Sequence, residues 1–164
     1  TPGPYFSGRH GPMVVFVLDS SIPLATGVGG PEQVEWLAEA LAASTAPWTV
    51  GLMHQPPYSS GHHGSHLAIR GVVQPLFARY GVDIAFTGHD HHYERTVPQD
   101  GVVWVVSGAG AKLTRVDGAE FTAHAESTLQ FMLVDIDGDV MDARAITTDG
   151  SVIDRFTLRA RSDA

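Results

Sequence analysis

Val82-Asp83-Ile84-Ala85-Phe86-Thr87-Gly88-His89-Asp90-His91-His92-Tyr93-Glu94-Arg95 is the stretch on which the reading of this chain turns. Its first six residues are short and largely apolar, which predicts a buried strand over 82–87. Gly88 ends the strand, and three histidines follow within four positions. A second run, Trp48 to Met53, has the same strand character and is followed at once by His54. Ligands of α/β sheets bind beyond the carboxyl ends of the strands. If these two strands are neighbours, the rings of His54, His89 and His91 converge there. His89 and His91, two apart in a loop opened by glycine, can splay toward different points around one centre. Imidazole nitrogens suit Zn, Fe, Ni and Cu, and in hydrolases they are often combined with carboxylates.

Working outward, Met13–Leu18 and Val102–Val106 read as further buried strands, the first closed by Asp19 and the second by Ser107-Gly108-Ala109-Gly110. Pro31, at the first helical position, and Glu32 open an amphipathic helix to about Ala43, with Val34, Leu37, Ala38 and Leu41 on one face. A second helical pattern covers Leu67–Tyr80 and stops at Gly81; Pro75 inside it is expected to kink it or mark its true start. Residues 1–12 and 55–66 read as irregular. Strand and helix thus alternate through the first two-thirds, the mark of an α/β layer protein. The last third reads as an antiparallel meander of strands over 129–136, 140–147 and 151–158, joined by tight turns at Asp137-Gly138-Asp139 and Thr148-Asp149-Gly150. No linker or repeat interrupts the chain, so residues 1–164 are read as one unit.

Composition narrows the chemistry. The 164 residues carry a formal charge of −8, with 10 Lys and Arg against 18 Asp and Glu, so a basic footprint for nucleic acid or anionic membrane is missing and cations are favoured as partners. No apolar run approaches the ~18 residues of a membrane span. There is no cysteine, which excludes thiolate catalysis, Cys-ligated zinc and disulfides. There is no asparagine either, so no Asn side chain can serve as a ligand. Of nine histidines, seven (His54, His62, His63, His66, His89, His91 and His92) fall within 39 residues. A lone histidine at a strand end is ordinarily a hydrogen-bonded or surface residue; this clustering points to a site. His10 and His124 lie outside it, and His92, directly after His91, is expected to point away.

Gly88-His89-Asp90-His91-His92-Tyr93-Glu94-Arg95 resembles the GHxH motif of the calcineurin-like metallophosphoesterases, and in its extended form, GHxHxYER, the purple acid phosphatase branch. His54-Gln55-Pro56-Pro57-Tyr58, about 35 residues upstream, resembles the same family's single-histidine motif at a strand end. Weaker likenesses run through Leu18-Asp19-Ser20, the helix at Gln33–Leu37, Ser107–Gly110 and the closing hairpin through Asp149-Gly150 and Asp154. The resemblance implies a four-layer α/β/β/α sandwich holding two metal ions (Fe, Zn or Mn) and hydrolysis of a phosphate ester. By matching position, it implies His54 and His89 as ligands of the second metal and His91 as a ligand of the first. A histidine in the loop after the single-histidine motif would protonate the leaving group. His63 fits best, with His62 and His66 as rivals. A secreted or periplasmic location is favoured by the resemblance alone.

The departures from the family pattern matter equally. The family's DxH or DxG, GDxx[DY] and GNH[DE] motifs, which supply the metal-bridging carboxylate and an Asn ligand, do not occur before residue 54. Gly138-Asp139-Val140-Met141-Asp142 spells GDxxD but lies after GHxH, and Asp90-His91-His92 spells DxH but lies inside the GHxH loop. The chain, which opens Thr1-Pro2-Gly3-Pro4 rather than with Met, therefore reads as the C-terminal half of such an enzyme, completed by an N-terminal half of the same protein. The alternative is a histidine-rich binding or structural module that has lost the bridging-carboxylate half. Arg95 could touch phosphate, but a structural partner is the stronger reading. Asp19 could support a histidine from behind.

Overall fold

Four apolar runs predicted as strands form the centre of a sheet: β2 (Met13–Val17), β3 (Trp48–Leu52), β4 (Ile84–Thr87) and β6 (Val103–Ser107) lie side by side and parallel. In the computed structural model, which describes residues 3–161, the strand order of this seven-stranded sheet is β1-β2-β3-β4-β6-β5-β7. Three of its members were not expected. β1 (Phe6–His10) pairs antiparallel with β2 across Gly11, so the segment read as irregular is a hairpin. β5 (Tyr93–Thr96) and β7 (Thr122–Glu126) extend the far edge antiparallel. β5 begins in the GHDHHYER segment, where Glu94 and Arg95 mask a strand because its pairing is non-local.

The helices α1 (Gly30–Ala42) and α2 (Leu67–Tyr80) form a layer on one face of the sheet. Leu37, Leu41, Ile69, Val73 and Phe77 pack there against Phe16, Ala85 and Trp104. The ring of Phe77 stacks on Trp104 with centroids 5.5 Å apart and covers Gly51, where a Cβ would come within 2.5 Å of it. Pro75 neither starts nor ends α2. Its neighbour Gln74 is held on both sides, accepting from Trp104 Nε1 at 2.7 Å and donating to the Gln99 carbonyl at 2.9 Å, so tertiary contacts override the helix-breaking tendency. Phe77→Ala should cost about 3–5 kcal/mol, as a large core deletion that cannot collapse against a glycine; the denaturant midpoint of unfolding checks this.

The other face of the sheet packs on the expected meander, β8 (Gln130–Asp137), β9 (Val140–Thr147) and β10 (Val152–Arg159), in the order β10-β9-β8. Met132, Val134, Ile136, Met141, Phe156 and Leu158 interdigitate with Trp48, Val50, Ile84, Val103 and Val105. The described residues therefore supply three layers, α/β/β, of the expected four-layer sandwich. Pairing continues past the ends of the central strands: Met53 N donates to Phe86 O at 3.2 Å and Gly88 N to His54 O at 3.0 Å. His54 is thus fixed beside Gly88.

Candidate metal centre

Because β3 and β4 are parallel neighbours, His54 and His89 leave the sheet at the same end. Ser20, just past β2, secures the first: its Oγ accepts from the backbone N–H groups of His54 at 3.1 Å and Gln55 at 2.9 Å. His89 is set by a strained turn. Its φ of 66° lies in the left-handed region, and Asp90 N bonds back to Gly88 O at 2.8 Å. The result brings His54 Nε2 within 3.2 Å of His89 Nδ1, with the rings edge-to-face at 83°. Two imidazoles bound to one ion at ~2.0–2.1 Å place their nitrogens at about this separation. Partial burial, reinforced by the charges of His63, His54 and His91, lowers the pKa of His89 and favours the neutral, ligating form.

His91 is fixed by its backbone: its N–H donates to Thr114 Oγ1 at 3.1 Å and its carbonyl accepts from Thr114 N at 2.9 Å. Its Nδ1 is buried with no hydrogen-bond partner, a costly arrangement that a cation would relieve. The donor set therefore fits metal ions, but in part only. Among the described residues no group of three or more His, Asp or Glu is arranged to hold one. A groove of about 500 Å³, lined by Leu18, Leu52, His54, Gly88 and Met132 among others, opens beside His54.

The ring of His63 lies 4.5 Å from that of His89, centroid to centroid, on the exposed lip of the site. His62 stacks edge-on against His63 at 4.9 Å. His66 belongs to the helix instead, where its Nδ1 accepts from Ile69 N at 3.2 Å and caps α2.

After the turn at 89–92 the chain is extended as β5, where successive side chains alternate sides. Tyr93 and Arg95 reach the second sheet, where the Tyr93 hydroxyl donates to Asp154 Oδ2 at 2.7 Å and Arg95 Nε donates to the same oxygen at 2.7 Å. Arg95, also stacked over Phe156, is thus a tie between sheets. Burial and the Asp154 carboxylate push the Tyr93 hydroxyl far up. Burial also acts to raise Asp154, but the hydrogen bonds from Arg95 and Tyr93 outweigh it and hold the carboxyl below the usual range. Asp154→Ala, which strands the buried Tyr93 hydroxyl and the partly buried Arg95 guanidinium, should cost roughly 2–4 kcal/mol. Since the folded-state pKa of Asp154 is depressed, this stabilisation is present above the unfolded pKa of ~3.9 and is lost as pH falls through the folded value. Unfolding titrations of wild type and variant that converge in acid check this.

On the other side, Asp90, His92 and Glu94 are all fully buried and face the loop 59–63. Ser59 Oγ donates to Asp90 Oδ2 at 2.5 Å, and Ser60 donates to Glu94 through both its N–H and its hydroxyl at 2.7 Å. His92 Nε2 lies 3.2 Å from Glu94 Oε2, so His92 points away from the site, as expected. Asp19 does not back a histidine; its carboxylate accepts from Ser21 N at 2.9 Å and from Ser21 Oγ. Ser20, Ser59, Ser60 and Thr114 escaped the sequence reading because a serine or threonine carries no spacing signal. The alternation along β5 was a cue to Glu94 alone of the buried set.

The model of the calcineurin-like phosphoesterase family matches residues 7–93, which include both histidine motifs. Human tartrate-resistant acid phosphatase type 5 is 36% identical over 78 residues, which cover 48% of this chain and 24% of that protein. The structure of a purple acid phosphatase from yellow lupin (Lupinus luteus) seeds superimposes with a TM-score of 0.87 at 24% identity, covering 94% of this chain and 32% of the lupin chain. An anchor protein of the Plasmodium inner membrane complex shares the fold with a TM-score of 0.81 at 16% identity, covering 96% of this chain and 54% of its own. The chain thus spans only a minor part of the length of the acid phosphatases it matches, and its fold is shared with a protein described as an anchor.

Proposed function

The chain belongs to the calcineurin-like phosphoesterase family, and from that premise we propose that it forms the C-terminal part of an enzyme hydrolysing phosphate esters with two metal ions. The observation that carries this reading is the facing pair His54 Nε2 and His89 Nδ1 at 3.2 Å, with the His63 ring 4.5 Å from that of His89. His54 and His89 would hold one ion and His91 the other, with Fe, Zn or Mn all compatible with imidazole. The bridging carboxylate and the remaining ligands would come from a preceding half of the same protein. When bound, the ions would neutralise the phosphate and lower the pKa of the attacking water.

The chain's own residues supply rigidity and a proton. His54 and His89, at the ends of paired strands, hold their nitrogens in fixed positions. His63, in a loop between Gly61 and Gly64, faces the leaving side and donates a proton to the departing oxygen. Histidine is the side chain suited to exchanging a proton near neutral or mildly acidic pH. The family resemblance favours a secreted or periplasmic setting; no helix among the described residues is long and apolar enough to cross a membrane.

A second reading, a non-catalytic module holding a single ion or none, draws on the lack of a third donor among the described residues. Metal content and turnover of a generic phosphate monoester, measured on the complete protein and on residues 1–164 alone, separate the two. The enzymatic reading expects two ions and turnover in the complete protein, and little of either in residues 1–164. Absence of turnover in a metal-loaded complete protein would leave the second reading standing.

A further inference from the structure

His63 is exposed and sits on a glycine-bounded loop, yet its backbone is anchored to one of the most deeply buried polar groups in the molecule. The His63 N–H donates to Asp90 Oδ1 at 2.9 Å, and Asp90 is 0% exposed. The other oxygen, Oδ2, accepts from Ser59 Oγ, whose own position is fixed by accepting from Gly61 N at 3.1 Å. The loop between these two anchors is wedged shut. A Cβ at Gly61 would come within 2.2 Å of His92 Cε1 and 3.0 Å of Asp90 Cγ, so the backbone lies directly on both side chains. Glu94, one further step along the same side, holds Ser60 by two hydrogen bonds, and Ser60 Oγ in turn accepts from Gly118 N at 3.0 Å.

Asp90 lies between His89 and His91 in sequence. One short turn therefore carries two candidate metal ligands and, between them in sequence, the clasp of the 59–63 loop. Displacing Ser59 or the His63 backbone relative to the ligands breaks the Asp90 hydrogen bonds. We propose that Asp90, through its clasp on Ser59 and the His63 backbone, is a positioning residue that registers the His63 imidazole against the metal ligands, so that proton donor and ligands move as one unit. This rests on the reading of His63 as the proton donor. A donor must meet the leaving oxygen within hydrogen-bond reach, and a 1 Å misplacement can cost on the order of 10²-fold. A loop carrying two glycines would otherwise sample many positions.

The test uses the complete enzyme with Asp90→Ala, Asp90→Asn, Ser59→Ala, His63→Ala and the double variant His63→Ala/Asp90→Ala. Each is assayed on an aryl phosphate, which has a good leaving group, and on an alkyl phosphate, which has a poor one. Asp90→Ala should lower kcat on the alkyl ester by on the order of 10²-fold and on the aryl ester by only a few-fold. Asp90→Asn should recover most of the loss, because its carbonyl oxygen still accepts from His63 N. The double variant should be no slower than His63→Ala. Hydrogen exchange of the His63 amide should accelerate at least tenfold in Asp90→Ala, while the His54 amide, held by Ser20, and the metal content stay unchanged. Ser59→Ala should show the same pattern at smaller amplitude, and carries the test if Asp90→Ala does not fold.

Equal slowing of both esters, multiplicative losses in the double variant, or unchanged His63 amide exchange would each overturn the proposal. If His63→Ala itself shows no dependence on the leaving group, the assignment of His63 fails and this inference falls with it. If His63→Ala behaves as a lost acid and Asp90→Ala does not follow it, the positioning role alone fails.

Discussion

His54→Ala and His89→Ala, each made in the complete protein, are expected to lose one metal ion and to lower kcat/KM by at least ~10³-fold, since the ion supplies several kcal/mol of transition-state charge stabilisation. The two nitrogens face each other at 3.2 Å, so removing either leaves the other as a lone imidazole on its side of the site. The losses should not add: the double variant should be no worse than either single one, because both act on one ion. Elemental analysis alongside kinetics checks this. Multiplicative losses with full metal content would assign the pair to substrate contact instead. Gly88→Ala is the corresponding structural control, since a Cβ there would meet His54 Nδ1 at 3.8 Å, an ordinary contact that leaves both nitrogens in place.

His63→Ala is expected to behave differently. It should lower kcat by roughly 10²–10⁴, the usual worth of a general acid, with metal content unchanged. The loss should be largest for a poor leaving group and small for a good one, which departs without a proton. His66→Ala gives the contrast: its ring caps α2, so it should cost about 1 kcal/mol of stability and little chemistry. If His63→Ala strips metal, or slows both esters equally, the donor is elsewhere and His62, the ring stacked on His63, is the next residue to substitute.

The central strands and both helices were legible from sequence because their signals are local: β-branched apolar runs, Pro31 at a helix start, Gly81 at a helix end. The convergence of His54 and His89 was legible as well, since it needs only that two such strands be neighbours. β1, β5 and β7 were not legible, because their short, largely polar runs lack the apolar pattern of the central strands and become strands only through pairing with their neighbours in the sheet. Arg95 illustrates the limit for the site. A cation after a histidine motif invites a phosphate, and only the long-range contact with Asp154 shows that it ties the two sheets. The hold of Glu94 on Ser60 likewise needed β5 to be recognised as strand.

The most direct measurement is an anomalous difference map from crystals of the complete protein grown with Zn²⁺ or Mn²⁺. A peak ~2.0–2.2 Å from both His54 Nε2 and His89 Nδ1, with a second ~3.5–4 Å away against His91, is the expected result. Ordered His54 and His89 rings bonded directly to each other, with no peak between them at saturating metal, would contradict it.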